Sequence, residues 1–220
     1  MDIVGIPPER IVIYGQSLGT AVSIAVAEHF SIQRSTDFRA IVLVAPFSDL
    51  PTLVLHYAIG GVVPILSPLR PYPALQKFFA SKIRETWFSA TRLMNLVKQS
   101  KRLNLCLIHA KDDYEIPWTH SKELFLAAAN ATSEEGMSMG QIDAVKMHRQ
   151  LGEDEWVDTW KAGQKDGGVK YIQKHIVPGG GRLPPFSRPV FVADFDYEGH
   201  NRVTTYPAVA KVVLDAFKDP

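Results

Sequence analysis

A single cysteine, Cys106, gives the chain no partner for an intrachain disulfide, so no disulfide framework holds it together. That thiol lies in the apolar run Leu103–Ile108, and its isolation leans towards a reducing, intracellular compartment. Charge of one sign is lacking too. Against 24 basic residues stand 23 acidic ones, a net charge of +1, so the strongly basic footprint of a nucleic-acid binder is missing. The opening Met1-Asp2-Ile3-Val4-Gly5-Ile6-Pro7-Pro8 has no basic stretch followed by an apolar one, as a secretory leader would. No long unbroken hydrophobic run occurs. The nearest, Leu53–Leu69, is interrupted by His56, Gly60, Gly61, Pro64 and Pro68, whereas a membrane span needs about 20 nearly continuous apolar residues. It reads as buried or interfacial. There is no internal repeat, which argues against a solenoid. No Cys/His cluster has metal-ligand spacing. Gly179-Gly180-Gly181 leads to Pro184-Pro185, not to a helix carrying Lys and Ser/Thr, so it is not a phosphate loop. Neither a metal nor a cofactor is expected.

What remains is ordinary globular material. The 220 residues are 46% hydrophobic and 21% charged, a length that suits one domain at ~100–200 residues each. Four short apolar runs, Ile11–Tyr14, Ala40–Ala45, Leu103–Ile108 and Val190–Phe195, read as strands buried on both faces, the habit of parallel sheets. Helical patterns lie between or after them at Leu18–Phe30, Ala90–Lys98, Trp118–Asn130 and Pro207–Lys218, the last opening on a proline that a first helical turn tolerates. This alternation predicts an α/β fold with a mostly parallel sheet of about four strands. Two stretches break the rhythm. Pro46–Arg102 is too long for a plain connection and reads as a cap over the strand ends. Ala131–Arg188, rich in glycine, reads as a flexible insertion with a short helix near Trp156–Trp160.

The sharpest motif is Gly15-Gln16-Ser17-Leu18-Gly19, between an apolar strand and a helix. That is the context a nucleophile elbow requires: a tight turn holds the serine hydroxyl at the carboxyl edge of the sheet. Flanking glycines are expected where side chains would collide with the strand and helix. The N–H of Leu18, at the helix start, is placed to stabilise an oxyanion. A serine needs a base. With the chain order Ser, acid, His, the base is His200, in Asp196-Tyr197-Glu198-Gly199-His200-Asn201 before the last helix. His109 precedes the acid, His56 and His120 read as cap or helix residues, and His29, His148 and His175 have no supporting context. The acid falls in Lys111-Asp112-Asp113-Tyr114-Glu115-Ile116-Pro117. Asp113, which begins the Asp-x-x-Ile-Pro pattern, is favoured over Asp112, which reads as a turn cap; Asp194 and Asp196 lie too near His200 to be its usual partner.

These segments, Ile11–Thr20, Ile108–Pro117 and Glu198-Gly199-His200, resemble the α/β-hydrolase fold serine hydrolases. Gly5-Ile6-Pro7-Pro8-Glu9-Arg10 narrows the resemblance to the α/β-hydrolase domain-containing protein twelve branch and its fungal relatives, which include lipases of monoacylglycerols and lysophosphatidylserine. The resemblance implies a single incomplete α/β-hydrolase domain over residues 1–220, with a cap-like insertion at 46–102 and a flexible one at 131–188. It implies a Ser17-Asp113-His200 triad cleaving carboxyl esters. Leu53, Leu55, Tyr57, Ile65 and Leu66 would line an acyl site, or else form plain cap core. The substrate would be a small-molecule or lipid ester, with contact to a membrane surface compatible. The alternatives are a serine peptidase of the same fold and a remnant or binding module that keeps the triad without turnover. In the family, about half the sheet and a second oxyanion donor precede the elbow strand, so that strand is expected here at a sheet edge, where apolar strands invite pairing.

Overall fold

The computed structural model describes residues 5–56, 58–59, 63–64, 71–72, 74–75, 78, 82, 86–113, 115–133, 135–152, 155–163, 167–178, 200 and 203–218, with backbone alone at 54–56, 58–59 and 63–64. The main sheet contains β1 (Val12–Gln16), β2 (Ala40–Val44), β5 (Leu103–Ala110), β6 (Met147–Gln150), β7 (Trp156–Gly163) and β8 (Val169–Val177), in the order β1-β2-β5-β8-β7-β6. A separate two-stranded ribbon pairs β3 (Ala58–Ile59) with β4 (Val63–Pro64). The helices are α1 (Leu18–Arg34), α2 (Leu50–His56), α3 (Ser89–Gln99), α4 (Thr119–Asn130), α5 (Met139–Val145) and α6 (Pro207–Phe217).

The first four strands in spatial order, β1, β2, β5 and β8, run parallel. The continuous apolarity of β2 and of most of β5 follows from helices on both faces. Ile41 and Leu43 of β2, with Leu103, Leu105 and Leu107 of β5, point into a core completed by α1, α3 and α4, including Ile24, Leu93, Leu124 and Phe125. Val42, Val44, Cys106 and Ile108 point the other way, against Val209 of α6. Fully burying a Leu or Phe is worth ~1.5–3 kcal/mol, so these two cores hold the parallel strand ends in register. Those ends carry the site. Among the described residues β1 is an edge strand.

The far side of the sheet departs from expectation. Trp156–Gly163, read as a short helix around Trp156–Trp160, is strand β7. It pairs antiparallel with both β8 and β6, so among the described residues the mixed sheet has six strands rather than about four. Met139–Val145, Met147–Gln150, Trp156–Gly163 and Val169–Val177, inside the stretch read as a flexible insertion, are therefore regular elements of the sheet and its packing: Ile142, Trp160 and Ile172 enter the main core. The charged residues Asp158, Lys170 and Lys174 are buried at 1%, 3% and 2% exposure, which is why the pattern does not read as strand. Asp158 and Lys174 are register partners and pair at 2.7 Å across β7 and β8. The expected strand Val190–Phe195 lies outside the described residues, as do Tyr57, Ile65, Leu66 and the side chain of Leu55. Leu53 is described. It is buried beside Phe47, Ala21 and Ile116, so its side chain serves as core. Among the described residues no helix is long and apolar enough to cross a membrane.

Candidate active site

Ser17 sits between the end of β1 and the start of α1 with φ 51° and ψ −125°. A non-glycine residue in such a sparsely populated region costs ~1–3 kcal/mol and persists only where its neighbours hold it. Here they do. The Ser17 N–H donates to Val44 O of the adjoining strand at 2.9 Å, and Thr20 donates to Ser17 O through both its N–H (2.9 Å) and its hydroxyl (2.6 Å). Gly15 is required: a Cβ there would lie 2.4 Å from Ser23 Oγ and 2.6 Å from Gly19 O. Gly19 corrects the expectation. A Cβ at Gly19 meets nothing within 4 Å among the described residues, so the close approach constrains only one of the two glycines. Gln16 is used differently, its side-chain amide donating to His200 O at 3.4 Å.

Leu18 is the first residue of α1, a helix of 17 residues. First-turn N–H groups have no intrahelical acceptor, and the helix dipole makes that end favourable for negative charge. The Leu18 N–H belongs to that first turn and follows Ser17 directly.

His200 lies between the serine and the acid. Its Nε2 is 3.0 Å from Ser17 Oγ and its Nδ1 is 2.7 Å from Asp113 Oδ2. The carboxylate can only accept, so Nδ1–H donates to it, which leaves Nε2 to accept from the Ser17 hydroxyl. Asp113 follows β5 directly and is fixed by its own turn: Oδ1 accepts the N–H of Glu115 at 3.0 Å and of Ile116 at 2.9 Å. Its partner is His200 Nδ1, as the Asp-x-x-Ile-Pro spacing suggested. Asp194 and Asp196 lie outside the described residues.

Burial pushes the Asp113 pKa upward, but hydrogen bonds from His109 and His200 and their attraction outweigh it and hold the carboxyl at about 2. Asp113 is thus ionised at neutral pH. For His200, burial works to lower the pKa, while the Asp113 hydrogen bond and the charges of Asp113 and Glu115 raise it above the ordinary histidine value of 6.5.

Chain order discarded His109 as a base, and the geometry gives it another place. Fully buried, its Nε2 lies 2.7 Å from Ile116 O and 3.3 Å from Asp113 Oδ2, and its Nδ1 lies 2.7 Å from Ser121 Oγ. The Ser121 hydroxyl donates to Nδ1, so Nε2–H points at the Asp113 turn. His109 and Asp113 are four residues apart at the end of one strand, the only trace of this in the sequence. His120 is also buried, paired with Ser48 Oγ at 2.9 Å away from this chain of contacts. Among the described residues no group of three or more His, Cys, Asp or Glu could hold a metal ion.

No protein-family model matches this chain, and no curated protein matches it. Among solved structures it is similar to a puromycin-hydrolyzing peptidase of Mycobacterium tuberculosis, with 17% sequence identity and a TM-score of 0.38. That likeness covers 60% of this chain and spans 18% of the peptidase's own length. A likeness of that size carries neither function nor substrate across. The fold itself is a mixed α/β sheet with helices on both faces.

Proposed function

We propose that the chain is a serine hydrolase of the α/β-hydrolase fold that cleaves carboxyl esters through Ser17, His200 and Asp113. The observation that carries this reading is the hydrogen-bonded series from Asp113 through His200 to Ser17, ending on a hydroxyl whose backbone is held at positive φ.

The chemistry follows from the geometry. Ser17 Oγ attacks the ester carbonyl carbon while its proton passes to His200 Nε2. The imidazolium is stabilised by the Asp113 carboxylate, which stays ionised throughout. Charge on the carbonyl oxygen faces the Leu18 N–H and the start of α1. As the tetrahedral intermediate collapses, the carbon–oxygen bond to the alcohol breaks and Nε2 returns the proton to the leaving oxygen. Water then repeats the sequence on the acyl-serine, releasing the acid and restoring the Ser17 hydroxyl.

The substrate we propose is a lipid-like ester such as a monoacylglycerol or lysophospholipid. The largely apolar sequence stretch Leu53–Leu69, read from the sequence as part of a cap, supports it, with each buried methylene worth ~0.8 kcal/mol. A fluorophosphonate probe tests the nucleophile: the purified chain should be labelled, and Ser17→Ala should lose the label. Hydrolysis rates on esters of increasing acyl length then test the substrate. They should rise beyond about six carbons. A flat or falling series favours a peptidase or short-ester enzyme. A soluble, folded chain without labelling favours a binding module that has kept these residues.

A further inference from the structure

The turn that fixes Asp113 also fixes Glu115. Its N–H is tied to Asp113 Oδ1, and its carboxylate reaches to 3.8 Å from His200 Nε2 with 22% of the side chain exposed. Nε2 is the atom that faces Ser17 Oγ. In acyl transfer it is also the atom that protonates the leaving group, so the leaving heteroatom must come within hydrogen-bond reach of it. A carboxylate beside Nε2 therefore borders the leaving-group side of the site. Among the described residues no Lys or Arg pairs with Glu115, and its side chain accepts no hydrogen bond. A charge already neutralised by a neighbour would have little to offer a substrate. This one is partly shielded from water and, while His200 is neutral, faces no cation among the described residues, so it attracts a cation close by and repels an anion.

We infer that Glu115 selects substrates whose leaving group carries a cationic nitrogen, such as an ammonium two or three bonds from the scissile heteroatom, over isosteric neutral and anionic leaving groups. This rests on the serine-hydrolase reading, not on the lipid-like substrate proposed with it, whose neutral glycerol or anionic glycerophosphate leaving groups are of the disfavoured kind, and it adds the chemistry of the departing group.

The test uses the whole chain and two methylphosphonate thioesters that modify Ser17. One releases thiocholine and the other 3,3-dimethylbutanethiol, which has the same shape without the charge. In each, the Ser17 oxygen–phosphorus bond forms, the phosphorus–sulfur bond breaks, and the serine proton leaves through His200 on the thiol. Mass spectrometry gives the rate of modification. Each rate is divided by that of the same compound with hydroxide, which removes the intrinsic difference between the leaving groups. The corrected ratio should favour the cationic compound about fivefold, the size of a partly solvated ion pair, and should fall as salt is added. In Glu115→Gln it should approach one. Because both compounds use the same His200, the ratio is unaffected if the variant alters that imidazole's basicity. A ratio near one in the unaltered protein at low salt overturns the inference, and so does a preference that survives Glu115→Gln. If neither compound modifies Ser17, the serine-hydrolase reading falls and this one falls with it. If both modify Ser17 without charge preference, only the role of Glu115 is lost.

Discussion

Two buried aspartates invite comparison. Asp113 and Asp158 both lose almost all contact with water, both collect several donors, and both have pKa values near 2. For Asp158, burial raises the value and hydrogen bonds from Lys174, His148 and Lys146 more than reverse it. By titration alone the two cannot be told apart. Their networks can. Asp158 spends its oxygens on Lys174 at 2.7 Å, Lys146 at 3.0 Å and His148 at 2.6 Å, and those contacts tie β6, β7 and β8 together. Asp113 orients one imidazole whose other nitrogen faces a hydroxyl. A low carboxyl pKa therefore marks a well-solvated charge inside the protein. Function is indicated by what lies at the far end of the chain of donors.

The sharpest way to break this comparison is to neutralise each carboxyl in turn. Asp113→Asn should cut ester hydrolysis ~10⁴-fold, because the amide can no longer hold the imidazole in the tautomer that accepts from Ser17. Asp158→Asn should leave the rate per folded molecule nearly unchanged. It should instead cost about 3 kcal/mol of stability by leaving Lys174 buried against a neutral partner, which lowers Tm by roughly 6–12 °C for a chain of this size. Parallel thermal melts and rates on the two variants decide the matter. Equal losses of rate would show that the distinction is wrong.

A smaller effect is expected one contact further out. His109 directs Nε2–H at the Asp113 turn while Ser121 holds the ring from its other side. His109→Leu removes that donor and should slow kcat about tenfold, the worth of a hydrogen bond to a charged group. His109→Gln places an amide N–H near the position of Nε2 and should recover most of the loss. If both variants slow the reaction equally, His109 only fills space.

How much of this was open to reading from the sequence depended on whether a segment's neighbours were apolar. β2 and most of β5 are recognisable because strands covered on both faces are largely apolar, and β1 by its apolar run Ile11–Tyr14. The elbow is recognisable because only glycine fits at position 15, where a Cβ would lie 2.6 Å from Gly19 O. β7 and β8 are hidden because their inward positions include Asp158, Lys170 and Lys174, charges that are acceptable only when paired across strands. A single strand does not display its partner, so the pattern around Trp156–Trp160 suggests a short helix where β7 runs. The Ser17, Asp113 and His200 positions follow from local motifs and chain order. His109 and Glu115 do not, because their roles depend on contacts that exist only once the turn after β5 has closed.

The least disruptive test of the same comparison changes only pH. Hydrolysis by this site needs His200 neutral, so that Nε2 can accept the Ser17 proton. Because its pKa lies above 6.5, activity should already be falling as pH drops through the neutral range. Stability follows different groups. Asp113 and Asp158 are depressed from 3.8 to about 2, so the stability they contribute is present above about 3.8 and is lost only as pH falls through about 2. His175 is lowered by burial, and by Lys211, from 6.5 to about 4. It stays neutral in the folded protein while the unfolded chain takes up a proton, so its share of stability is intact above 6.5 and declines from there towards 4. His200 has the opposite sign: its contribution is full below 6.5 and is lost as pH rises through its raised value. Near pH 5, then, the aspartate pairs still hold and the sheet stays folded, while the base is protonated and the rate is low. Measuring kcat/KM and circular dichroism in the same buffers from about pH 5 to about pH 8 should show activity disappearing first and returning fully on neutralisation. Coincident loss of activity and ellipticity would mean that the acid limb belongs to unfolding and not to His200.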